Sequence, residues 1–137
     1  MEAKTHAQIS VEYLVIIGFV TFIIIGILAV SLVYQTEIQD TINLNQIERL
    51  TNKIITSAEE VFYSGEPSRV TITGYMPKGV EGIEIIGKQM VFNITTSSGP
   101  ARIAYTSEVQ LEGNLSLSEG IKRIELIAES DKVLIND

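Results

Sequence analysis

The chain has 137 residues with no cysteine, one histidine and a net charge of −7, enough for one modest domain plus an elongated element but not for two independent cores. Without cysteine there is no disulfide, no thiolate nucleophile and no Cys-based zinc site, and the acidic balance argues against nucleic acid, whose phosphates need clustered Lys and Arg. His6 lies ahead of the segment that dominates the sequence, and Asp and Glu are scattered without an evident pair, so no enzyme activity, metal or cofactor is expected.

Residues 13–36 carry no charge, and residues 14–33 (LVIIGFVTFIIIGILAVSLV) are almost continuously apolar. About 20 such residues at 1.5 Å each cross the roughly 30 Å hydrocarbon core of a bilayer. Core helices of soluble proteins are rarely this long and this free of polar residues, so the segment reads as membrane-inserted. An ordinary signal peptide places its basic residues first, then a short apolar stretch, then a small-residue cleavage site. Here the small-residue step comes before the apolar run, at Ala7-Gln8, and Glu12 sits at the edge of that run. A carboxylate in that position is costly to bring into lipid unless something pairs with it.

The order MEAKTHA, then QISVEYL, then an unbroken apolar helix resembles the class III signal peptide of archaeal type IV pilins. The resemblance covers about the first quarter of the chain. It implies a leader of residues 1–7, removed on the cytoplasmic side between Ala7 and Gln8 by a prepilin peptidase. Gln8 then becomes the new N-terminus and Glu12 the acid at mature position five. Gln8, Ser10 and Glu12 at alternate positions match the subgroup that begins with Gln. The leader departs from the family pattern in its charge, with Lys4 partly offset by Glu2.

Cleavage would create an α-amine at Gln8 able to pair with Glu12 of a neighbouring subunit, setting register because an unpaired buried charge is strongly unfavourable. If Gln8 cyclises to pyroglutamate the basic amine is lost. The plainer role for Glu12 is a favourable acid near a helix N-terminus. Gly18 and Gly26, eight residues apart, allow close approach of neighbouring helices.

The helix is expected to span residues 8–64, with a membrane or filament-core part at 13–36 and an amphipathic half at 37–64. In the latter, Leu44, Ile47, Leu50, Ile54, Ala58, Val61 and Phe62 share one face, opposite Gln46, Arg49, Lys53, Thr56 and Glu60. Ile38 and Ile42 fall off that stripe, where a monomer leaves them wet. Ser64-Gly65 followed by Pro67 marks the end.

From residue 65 the period changes to two. Val70 and Ile72, Ile83 and Ile85, Met90 with Phe92 and Ile94, Ile103 and Tyr105, Ile124 and Leu126, and Val133 with Ile135 alternate with polar residues, separated by turn signals. Val109, Leu111, Leu115 and Leu117 read as one longer strand through Gly113. The fold class is therefore α+β: a long N-terminal hydrophobic helix, then six to eight short antiparallel strands forming a β-rich head domain, 65–137, that leans on the amphipathic half. Two sequons, at Asn93 and Asn114, lie at outward positions of the strands and are candidate N-glycosylation acceptors.

Function follows from the resemblance. It implies a structural subunit of an archaeal type IV adhesion pilus, membrane-inserted as a precursor and then polymerised into an extracellular helical filament. The partners implied are further copies of the chain, a prepilin peptidase, an assembly ATPase and a membrane platform protein. The alternatives are a single-pass membrane-anchored surface protein, or a minor pilin or adhesin outside the filament body.

Overall fold

A computed structural model describes the backbone of residues 2–137 and the side chains of residues 10–137. One long apolar N-terminal helix is followed by a small, mostly antiparallel β domain, the expected α+β architecture. The helix, α1, covers Glu2–Ser64. Seven strands follow: β1 (Arg69–Met76), β2 (Val80–Ile86), β3 (Gln89–Thr96), β4 (Gly99–Thr106), β5 (Leu111–Gly113), β6 (Gly120–Ala128) and β7 (Val133–Asn136). The chain divides into two compact units, Met1–Ile38 and Gln39–Asp137.

The first unit is helix alone. With no proline before Pro67, nothing breaks its backbone ladder. The helix is apolar all round, and its large side chains, such as Leu14, Phe22 and Ile27, are exposed because this unit offers nothing to bury them against. The stretch is long and apolar enough to cross a membrane.

In the second unit the rest of α1 completes the β core. Ile47, Leu50, Ile54, Ala58 and Val61 are buried, Leu44 and Phe62 partly so, and Ile38 and Ile42 exposed, as the periodicity requires. Ile55 and Thr51 are also buried. The Thr51 hydroxyl donates to the Ile47 carbonyl at 2.8 Å, which satisfies it within the helix and leaves its methyl free to pack. The helix stops where expected: Gly65 adopts φ +82° and its N–H donates to the Phe62 carbonyl at 3.1 Å, a left-handed C-terminal cap.

The strands form two sheets, one of four strands in the order β1-β6-β7-β5 and one of three in the order β2-β3-β4. Ile72 and Met76 of β1, Met90, Phe92 and Ile94 of β3, Ile124 and Leu126 of β6, and Val133 and Ile135 of β7 meet the helix residues in a single core. Gly79 (φ +83°) and Gly87 (φ +59°) turn the chain at the ends of β2.

One strand departs from expectation. The run from Val109 to Leu117 is not continuous strand, since only Leu111–Gly113 is extended, and it pairs with β7 in parallel. Gly113 explains the break: it adopts φ +137°, and a Cβ there would run into the Ile135 carbonyl oxygen. The chain then loops, returning Leu115 to the core and leaving Leu117 exposed. Alternating apolar residues alone did not reveal that the backbone changes hand in their midst.

Candidate functional site

Within the first unit, Glu12 is exposed beside Val11, Tyr13 and Leu14, all of them also exposed. Gly18 and Gly26 are equally open: a Cβ built on either meets nothing within 4 Å. Each glycine in a helix interior costs roughly 0.5–1 kcal/mol relative to Ala, and no contact within this unit offsets that cost. Ala7, Gln8 and the leader 1–7 lie outside the residues whose side chains are described.

The sequons occupy different settings. Asn93 is on the outer face of β3, opposite Phe92, but it is half-buried. A Cβ on neighbouring Gly82 would come within 3.1 Å of its Nδ2. Arg102 of β4 bridges to Glu84 of β2 at 3.0 Å across the central strand. Asn114 instead is exposed in the loop after β5. Its partner hydroxyl, Ser116, is engaged: Oγ donates to Asp137 Oδ2 at 2.5 Å and accepts from Lys122 Nζ.

That contact belongs to a cluster around a buried lysine that sequence reasoning missed. Lys122 sits at an inward position of β6, in line with Ile124 and Leu126, and its side chain is 8% exposed. Its ammonium reaches Asp137 Oδ2 at 3.3 Å and the Ser118 hydroxyl at 2.6 Å. Burial alone would push the Asp137 carboxyl up. Hydrogen bonds from the Ser116 hydroxyl and N–H, together with Lys122, outweigh burial and hold it below the ordinary carboxylate value. The signal was a cation at an in-facing strand position, which requires a partner.

The exposed back of α1 within the second unit carries two lines of polar side chains, one with the cations Arg49 and Lys53 and the other with the acids Glu48 and Glu59. Ile42, Gln46, Arg49 and Lys53, spaced by four, three and four residues, fall with Thr56 and the exposed acid Glu60 beyond them on one line. It abuts the free edge of β1: Lys53 Nζ donates to the Thr73 carbonyl at 2.8 Å, and Arg49, Lys53, Gly74 and Tyr75 line a shallow groove. Glu48, Asn52 and Glu59 form a second line, whose far end meets the segment just after β4, the free edge of the other sheet. Glu59 Oε1 accepts from the Ser107 hydroxyl at 3.3 Å and from the Glu108 N–H at 3.0 Å. Burial first, and then the Glu48 carboxylate, raise the Tyr105 phenol above its usual value.

No protein-family model, curated protein or solved structure matches this chain.

Proposed function

We propose that the chain is a structural subunit of an archaeal type IV pilus, inserted in the membrane as a precursor and polymerised at the cell surface after cleavage between Ala7 and Gln8. The observation that carries this reading is the division of labour along α1. Its C-terminal half is committed to the core of the β domain, whereas its apolar N-terminal part is exposed on every side and begins at a lone acid, Glu12.

A plain anchor needs the apolar length but neither the acid at its margin nor two glycines that no contact of their own unit requires. In a filament the neighbouring helices supply what is missing. They cover the apolar surface, approach closely at Gly18 and Gly26, and offer the new amine of Gln8 to Glu12. Because the subunit leaves lipid rather than water, the gain must come from packing and polar pairing between helices rather than from escape from water.

The test is intact-mass and N-terminal analysis of the protein from a sheared surface fraction. A chain beginning at Gln8 or its pyroglutamate in that fraction is the expected result. A chain beginning at Met1 and found only in membranes would replace this reading with the single-pass anchor.

A further inference from the structure

Arg49 and Lys53 on one line of the back of α1 and Glu48 and Glu59 on the other are complementary in charge and cannot meet within one chain. The first line turns acidic only at its far end, at Glu60. At about 100° per residue, the core face, the Arg49–Lys53 line and the Glu48–Glu59 line divide the helix into rough thirds. Arg49 and Glu48 are adjacent in sequence, and adjacent helix residues do not face one another. None of the ion pairs among the described residues involves either side chain. Arg49 therefore stands as an exposed cation on a chain with a net charge of −7, beside an apolar Ile42 that is 43% exposed and a Tyr75 that is 42% exposed.

We infer that a second copy of this chain docks here, its Glu48–Glu59 line and β4 edge against the Arg49–Lys53 line and β1 edge of the first. Charge complementarity selects this occupant, since the acidic line that matches the basic one is carried by the same molecule. The surface used on one copy differs from that used on the other, so the contact is heterologous. It builds a ring or an open helical array rather than a closed dimer, and the filament reading selects the open array, with one cationic and one acidic line unused at its two ends. Lys53 also blocks the β1 edge through Thr73, which disfavours plain strand-to-strand pairing and leaves side-chain docking as the mode of contact. This inference rests on the filament reading and adds to it a contact outside the apolar helices, which fixes the order of neighbours.

The absence of cysteine permits a clean test by oxidative cross-linking of the full chain in its own cells. Gln46→Cys marks the basic line, Asn52→Cys the acidic line, and a third variant carries both. The expected result is a ladder of multimers from the double variant, none from either single variant, and a dimer when the two singles are co-expressed. Arg49→Glu in the double-cysteine background should abolish the ladder, and adding Glu48→Arg should restore it. Dimers from Gln46→Cys alone would overturn the heterologous contact. Absence of a ladder in a strain that still sheds filaments would overturn the docking surface and spare the filament reading. Absence of both ladder and filaments would overturn the two together.

Discussion

At Gly113 two independent constraints coincide, a φ of +137° and the Ile135 carbonyl in the space a Cβ would fill. Gly113→Ala is therefore expected to cost about 1–3 kcal/mol, read as a lowered Tm. Gly87→Ala, where φ is +59° and nothing lies within 4 Å, should cost only the roughly 1–2 kcal/mol of a left-handed backbone. Equal Tm values for parent and Gly113→Ala would show that β5 and β7 part without penalty. Asp137 gives a pH signature. Its carboxyl is lower in the folded chain than unfolded, so its contribution is fully present above the unfolded value of roughly 4 and is lost as pH falls through the folded value. Asp137→Asn should lower Tm at neutral pH, and the gap to the parent should close as the solution is acidified below about pH 4. A gap that stays constant through that window would mean the Lys122 cluster does not depend on the charge. Of these features the sequence displayed only hints, because a glycine's φ and the partner of an inward lysine are both set by residues distant in the chain.

Among the elements, α1 was the most legible, since its composition changes from apolar on every side to apolar on one stripe and each pattern has a single physical reading. The stripe from Leu44 to Phe62 lies against the β core as its period required, and Gly65 ends the helix. Individual strands were recognisable by alternation, yet β5 was not. Its three residues owe their extension to a parallel neighbour, β7, that no local pattern announces. The β residues also lack a complete core of their own, since Ile47, Leu50, Ile54, Ala58 and Val61 fill much of it. A fragment starting at Glu66 should therefore fail to unfold cooperatively and should expose apolar surface to dyes, whereas a fragment of residues 39–137 should show a cooperative transition. In the full chain, Ile54→Ala should cost about 2–5 kcal/mol. Cooperative unfolding of the shorter fragment would mean that the sheets are stable without the helix.

For the whole molecule, the physical question is what surrounds an apolar helix that the described residues of its own unit do not cover. Lipid can cover its side chains but cannot satisfy Glu12, whose charge gains little in hydrocarbon without a donor. A neighbouring subunit can do both, provided that cleavage has exposed an amine at the matching height. Under the filament reading, Glu12→Gln keeps the size and hydrogen-bonding capacity of the side chain but removes the charge that would fix one helix against the next. The expected outcome is normal cleavage and membrane insertion with loss of incorporation into sheared filaments, quantified as the ratio of surface to membrane protein. Glu12→Asp should retain part of that ratio, because the charge remains but reaches less far. Filaments from Glu12→Gln at parental yield would show that packing of the apolar faces alone sets the register. The acid would then be left with its plainer role of favouring a helix N-terminus, and order along the filament would fall to other contacts, the charged lines on the back of α1 among them.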